Sequence, residues 1–216
     1  MQLMDRHDVL DLPMVSIVDD DVALRLSLVD LFESLEMSAA PYESGDDFLM
    51  RADLGKAGCI LLDIHMPGIN GLDLQKQLAE TRSMLPIVFM TANATVPMSV
   101  QAMKRGASDF LLKPLDSEQL VQAIERAIRL NAERRAVASQ RESILSSVRR
   151  LTPREREVMT HVVKGRLNKQ IAQELSVSEM MIKIHRSRMM KKMQVGSLAE
   201  LVKKLDLASK EFDFYQ

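Results

Sequence analysis

The stretch Cys59-Ile60-Leu61-Leu62-Asp63-Ile64-His65-Met66-Pro67-Gly68-Ile69-Asn70-Gly71-Leu72-Asp73-Leu74 decides the fold. Its apolar run stops at one carboxylate and then at a Pro-Gly breaker. A short continuous apolar run bounded by turn formers suits a strand covered on both faces, as in a parallel sheet flanked by helices. Ligand chemistry in such sheets sits just outside the carboxyl ends of the strands. Asp63 is therefore delivered to the place where chemistry would occur, although an acid that closes a strand is also an ordinary solvated loop charge. The residues at the other strand ends decide between these readings.

Working outward, the same alternation recurs. Met14 to Val18 is an apolar strand ending at Asp19, Asp20 and Asp21, and Leu24, Leu28, Leu31 and Leu35 then recur at helical spacing. Three adjacent carboxylates suit either a hard divalent cation or an exposed helix N-terminus. Ser38 to Tyr42 is a weak second strand, and Ser44 caps a second helix with Asp46 and Asp47 in its first turn. After the Asp63 strand comes a helix from about Leu72 to Glu80. Pro86 to Met90 makes a fourth strand, ending at Thr91-Ala92, and a helix opened by Pro97 is stopped by Gly106. Asp109 to Leu112 is a fifth strand, ending at Lys113-Pro114. Strands alternating with helices at this pitch predict a five-stranded parallel sheet with helices on both faces.

The carboxyl ends of strands one, three, four and five present Asp19 and Asp20, Asp63, Thr91 and Lys113. In a doubly wound sheet these ends converge on one crevice. An acid pair, a lone carboxylate, a hydroxyl and an ammonium can hold Mg2+ against a phosphoryl group. The pair binds metal, the lone carboxylate attacks phosphorus, and the other two take the oxygens. An ionised Asp63 needs no general base.

Composition limits the other classes. The chain of 216 residues is long enough for one large or two small domains, and its single cysteine, Cys59, excludes an internal disulfide. No apolar run approaches a membrane span, and the first residues, with Asp5, Asp8 and Asp11, lack the features of a signal peptide. A cytoplasmic protein with no membrane partner is expected. The net charge of -1 hides a division. Residues 14 to 115 carry eight Lys and Arg against fourteen Asp and Glu, a net -6, whereas residues 149 to 204 carry fourteen against five, a net +9. A basic last part suits a polyanionic partner.

The first half resembles the receiver domain of two-component response regulators. The resemblance is carried by Ile17-Val18-Asp19-Asp20-Asp21, Leu62-Asp63-Ile64-His65-Met66-Pro67-Gly68-Ile69-Asn70-Gly71, Met90-Thr91-Ala92 and Phe110-Leu111-Leu112-Lys113-Pro114. It implies a flavodoxin-like fold in which Asp63 accepts a phosphoryl group from a cognate histidine kinase. It also implies Mg2+ bound by Asp20, Asp63 and the backbone carbonyl of His65, with Asp19 acting through water. Thr91 would swing toward the phosphoryl oxygens, Lys113 would pair with them, and Phe110 would repack as the switch aromatic. The Lys113-Pro114 bond would be cis. His65 reads as a bystander that, with Asn93, tunes loss of the phosphoryl group.

From Leu115 to Thr152 there is no glycine or proline, and the composition favours one long helix capped by Ser117. Its second half is too polar for a core helix and reads as an exposed spacer or a marginal coiled-coil seam, the spacer preferred because the heptad positions are not sustained. Thr152-Pro153-Arg154-Glu155 is a capping box with proline at the first helical position. A helix from Asn168, read as its N-cap, a tight Ser176-Val177 connection and a basic helix capped by Ser178 make a helix-turn-helix. On this third helix Ile182, Met189 and Met193 are expected to pack, while Lys183, Arg186, Arg188, Lys191 and Lys192 are expected largely to face outward. The region from Leu151 to Leu205 resembles the LuxR-type output domain through Leu151-Thr152-Pro153-Arg154-Glu155-Arg156-Glu157-Val158, Asn168-Lys169-Gln170-Ile171-Ala172 and Lys183-Ile184-His185-Arg186. Carried over by position, Lys183, Ile184 and Ser187 would face base edges, and Asn168, Lys169, Arg186, Arg188 and Lys191 would meet phosphates of double-stranded DNA. Met181 stands where threonine is usual.

The expected organisation is an N-terminal tail (1–13), a receiver domain (14–130), a helical linker (131–148), an all-α four-helix helix-turn-helix domain (149–208) and a C-terminal tail (209–216). The expected function is that of a FixJ-like regulator, not an enzyme. Phosphorylation of Asp63 would promote homodimerisation and sequence-specific DNA binding, and so regulate transcription. Two alternatives stand beside it. One is an aspartyl-phosphate phosphohydrolase, which His65 disfavours by standing where such enzymes place a second aspartate. The other is a constitutive DNA-binding regulator with a degenerate receiver.

Overall fold

The structure, a computed structural model, describes residues 12–208. The expected tails therefore lie outside the described residues, apart from Leu12 and Pro13. The chain divides between Arg135 and Ala136 into two compact units.

The first unit is the alternating sheet the pattern predicts. Strands β1 (Met14–Val18), β2 (Ser38–Tyr42), β3 (Gly58–Asp63), β4 (Ile87–Thr91) and β5 (Asp109–Leu112) pair in the order β2-β1-β3-β4-β5, parallel at every pairing. Helices α1 (Val22–Ser34), α2 (Gly45–Arg51), α3 (Gly71–Glu80), α4 (Val96–Lys104) and the first part of α5 (Ser117–Arg149) connect and cover them. Every residue of β3 is buried, because two separate apolar layers enclose it. Ile60 and Leu62 point into a layer with Phe48, Leu74 and Phe89, while Cys59 and Leu61 point into another with Phe32, Leu120 and Ile124. Period-two alternation between two apolar layers is why the strand reads as an unbroken run.

Local chemistry sets the ends. Asp21 caps α1 by accepting from Ala23 and Leu24 N–H groups, Ser44 caps α2, and Asn70 caps α3. The third member of the acid triple is thus a helix cap, which frees Asp19 and Asp20 for other work. A Cβ at Gly71 would stand 2.3 Å from the Asp63 carbonyl oxygen. Only glycine lets α3 start against the strand that carries Asp63. At the start of α5, Asp116 accepts from the Gln119 N–H at 2.9 Å, so Asp116 is the capping residue and Ser117 is the first helical one. Its carboxylate reaches the N–H three residues on from just outside the helix.

The second half of α5 is unburied in its middle and anchored at both ends. Asn131 is 1% exposed; its side chain accepts from the Gly58 N–H at 3.0 Å and donates to the Met84 carbonyl at 2.8 Å. Ile144 and Val148 lie in the core of the second unit. No residue from 132 to 143 is buried, so the exposed stretch is shorter than the sequence suggested, with an amide holding one end and two apolar side chains the other.

In the second unit, α6 (Pro153–Val163), α7 (Asn168–Glu174), α8 (Glu179–Met193) and α9 (Leu198–Ala208) enclose Val158, Met159, Ile171, Ile182, Met189, Met193, Leu201 and Leu205. The Thr152–Glu155 capping box is present. Asn168 is the first residue of α7 and not its cap. The Leu167 N–H is satisfied by Gln170 Oε1 at 2.8 Å, and the Asn168 side chain accepts from Arg186 at 3.1 Å.

Candidate functional sites: an acidic crevice and a basic helix

The parallel sheet brings the expected strand-end residues together. Asp19 follows β1 and is fully buried; Asp63 closes β3 at 4% exposure, and Thr91 closes β4 and is fully buried. Lys113 follows β5, where its N–H donates to the Thr91 carbonyl at 2.8 Å. Its ammonium lies 2.6 Å from Asp19 Oδ2 and 3.1 Å from Asp63 Oδ1. The remaining carboxylate oxygens are held from the backbone: Asp19 Oδ1 accepts from the Asp21 N–H at 2.8 Å and Asp63 Oδ2 from the His65 N–H at 2.9 Å. Arg25, on α1, donates to the Asp19 carbonyl. The Lys113-Pro114 bond is cis.

These contacts perturb the ionisations. Burial pushes the Asp63 carboxyl up; Lys113 and the His65 N–H pull it down, Asp19 adds like-charge repulsion, and the net direction is upward. For Lys113, burial lowers the ammonium, but the hydrogen bonds and charges of Asp19 and Asp63 outweigh it and hold the group above its ordinary value. Both directions are compatible because the lysine is shared and sits closer to Asp19.

Asp20 is exposed at the lip of this crevice. Among the described residues, no three His, Cys, Asp or Glu side chains converge on one metal position. Instead the Lys113 ammonium already occupies the place between two buried carboxylates that calls for positive charge. An all-oxygen donor set that holds one cation in this way fits a hard divalent ion.

Two contacts go beyond the sequence reading. His65 Nδ1 lies 3.0 Å from Thr91 Oγ1, which also accepts from the Asn93 N–H at 3.3 Å. His65, read as a bystander, touches an expected switch residue 26 positions away, a contact that follows from the pairing of β3 with β4. Phe110 is half-buried, with its ring centroid 6.3 Å from that of Phe89.

On the second unit, Lys169, Lys183, Ser187, Arg188 and Lys191 are exposed, while Asn168, Ile184 and Arg186 are half-buried. Lys183 lies 3.4 Å from Glu179, a solvated pair one turn apart. Lys192 departs from the outward placement. Its ammonium lies 2.6 Å from Glu155 Oε2 and donates to the Arg150 carbonyl at 3.2 Å. Glu155 is 2% exposed; burial raises its carboxyl, but Lys192 and the Thr152 N–H outweigh that and leave it below its ordinary value. Arg186 is likewise tied to Asn168. Among the described residues, no helix is long and apolar enough to cross a membrane.

Comparison with known proteins agrees with both units. Residues 15–125 match the response regulator receiver domain, and residues 149–205 match the bacterial regulatory proteins of the luxR family. The tetrathionate response regulatory protein TtrR of Salmonella typhimurium is 40% identical over 198 residues, covering 91% of this chain and 94% of that protein. The transcriptional regulatory protein FixJ of Bradyrhizobium diazoefficiens is 39% identical over 192 residues, covering 88% and 92%. A solved structure of the response regulator StyR superposes with a TM-score of 0.82 at 40% identity, covering 90% of this chain and 98% of that one. The chain therefore belongs to the transcriptional response regulators of two-component systems that join a receiver domain to a luxR-family DNA-binding domain.

Proposed function

We propose that Asp63 is the phosphoacceptor of a two-component system and that its modification by a cognate histidine kinase turns on DNA binding by the basic unit. The observation that carries this reading is the meeting of Asp19, Asp63, Thr91 and Lys113 at the carboxyl ends of four parallel strands. In the transfer, an Asp63 carboxylate oxygen forms a bond to phosphorus as the bond from phosphorus to the kinase imidazole nitrogen breaks. The product is an acyl phosphate, and the leaving imidazole takes a proton from water. Lys113 pairs with the phosphoryl oxygens, and the Thr91 hydroxyl donates to one of them. Asp20, Asp63 and the His65 carbonyl would hold Mg2+, with Asp19 acting through water. The ion supplies neutralisation of the charge on the phosphoryl oxygens.

Dimerisation is assigned to α4 and β5, where Val100, Met103 and Leu112 are 44%, 46% and 59% exposed. Apolar side chains in solvent favour self-association once the face is rearranged. In this reading Phe110, beside that face, is the switch aromatic. A dimer presents two basic helices to a two-fold site, so the second contact becomes intramolecular. On α8, Lys183, Ile184 and Ser187 read base edges, while Asn168, Lys169, Arg186, Arg188 and Lys191 hold phosphates. The functional limits proposed are 14–130 for the receiver, 131–148 for a helical linker whose first residue is held by the receiver and whose Ile144 and Val148 join the second core, and 149–208 for the DNA-binding domain, acting in the cytoplasm.

The test is light scattering of the full chain with Mg2+ and acetyl phosphate, beside Asp63→Asn. A phosphodonor-dependent dimer absent from the variant is expected. A mass that ignores the phosphodonor, with equal DNA affinity in both states, would leave a constitutive DNA binder.

A further inference from the structure

The hydroxyl of Thr91 is already engaged. Its oxygen accepts from the Asn93 N–H at 3.3 Å and lies 3.0 Å from His65 Nδ1, and the residue is fully buried. A threonine hydroxyl has one proton and two acceptor directions. If Nδ1 is the acceptor, the only proton of Thr91 is taken up by the imidazole. If Nδ1 carries the proton, both acceptor directions of Oγ1 are filled. In the first tautomer, turning the hydroxyl to a phosphoryl oxygen on Asp63 costs the His65 hydrogen bond; in the second the proton stays free, but the ring and the Asn93 amide fix Oγ1 in place, so any movement of Oγ1 toward Asp63 costs the contact. The same histidine donates its backbone N–H to Asp63 Oδ2 at 2.9 Å. One residue thus holds the acceptor carboxylate by its main chain and the switch hydroxyl by its ring. His65 is exposed, so water can replace the ring contact, which makes it a releasable restraint.

We infer that His65 is a positioning residue that latches the Thr91 hydroxyl in the unmodified receiver and thereby raises the threshold for switching. The latch rests on the proposed phosphoacceptor role of Asp63. It opposes the switch through the ring and Thr91, whereas the part His65 takes in holding Asp63 and Mg2+ runs through its main chain.

The test is a titration of the full chain with beryllofluoride, an analogue of the phosphoryl group, in Mg2+, followed by NMR of the Asn93 backbone amide. His65→Ala is expected to lower the midpoint concentration about two- to tenfold, the net worth of one hydrogen bond. In a Thr91→Val background, which lacks the hydroxyl, the same change should have no effect, and that dependence separates a latch from general loosening of the loop. His65→Gln, which can keep a hydrogen bond, should fall nearer the wild type than His65→Ala. An unchanged or higher midpoint in His65→Ala, or an equal fall in both backgrounds, overturns the latch while leaving the phosphoacceptor reading intact. A wild type that does not respond to beryllofluoride at all overturns both.

Discussion

Replacing Lys113 by methionine isolates the electrostatics of the crevice. The lysine side chain is 20% exposed, and it is the shared cation of Asp19, whose side chain is fully buried, and Asp63, at 5%. Methionine keeps the apolar stem and removes the charge, leaving two buried carboxylates together without their shared cation. Breaking a buried pair from one side costs about 3–5 kcal/mol, and partial exposure of the lysine argues for about 3 kcal/mol. Part of that loss is recoverable. Asp63 already holds its proton more tightly than an ordinary aspartate, so the variant can neutralise one carboxylate by taking up a proton. A divalent cation can neutralise both. Hydrogen exchange by mass spectrometry of peptides from β1 and β3, in EDTA and across a Mg2+ series, reads the effect in the intact chain. The variant should exchange faster in EDTA and then regain protection by about 1.4 kcal/mol for each tenfold rise in Mg2+ above its dissociation constant. The wild type should respond less, because its own ammonium already neutralises part of the charge on Asp19 and Asp63. If the variant matches the wild type in EDTA, or if Mg2+ protects neither, the idea that Lys113 offsets the charge of these two carboxylates is wrong.

Three further outcomes follow from contacts away from the crevice. Glu155→Gln should destabilise the second unit by about 2 kcal/mol, the worth of a charged hydrogen bond and part of a cap, read by exchange of α6 amides. Because folded Glu155 binds its proton less tightly than the unfolded chain, its stabilisation is complete above the ordinary value of 4.5 and is lost as pH falls through the lowered one. The acid slope seen in the wild type should therefore be weaker in the variant. Asn131→Leu leaves the buried Gly58 N–H and the Met84 carbonyl without this partner, so faster exchange at Gly58 and a loss of about 1–3 kcal/mol are expected. Lys191→Ala should weaken binding to a random-sequence duplex and lower the salt slope by about 1, as removal of one phosphate contact does.

Much of this was legible because the informative residues stand at strand ends. A buried parallel strand reads as an apolar run, and the residue that ends the run is the one delivered to the crevice. Asp19, Asp63, Thr91 and Lys113 could be grouped without knowing any packing angle. Caps written into three or four adjacent residues, at Thr152 and Ser178, were equally readable. Contacts that depend on how elements pack were not. His65 to Thr91, Lys192 to Glu155 and Asn131 to Gly58 join residues 26, 37 and 73 positions apart. Nothing local marks which charged residue turns inward, so Lys192 read as one more outward cation. The anchors of the polar second half of α5 were hidden for the same reason: Asn131 and two apolar side chains, Ile144 and Val148, hold its ends while everything between them reads as solvent-facing.

The central claim is that Asp63 receives the phosphoryl group. Intact mass of the full chain after incubation with Mg2+ and acetyl phosphate tests it most directly, beside Asp63→Asn. A gain of one phosphoryl mass is expected in the wild type and none in the variant. An equal gain in both proteins, placing the group on another residue, would contradict it.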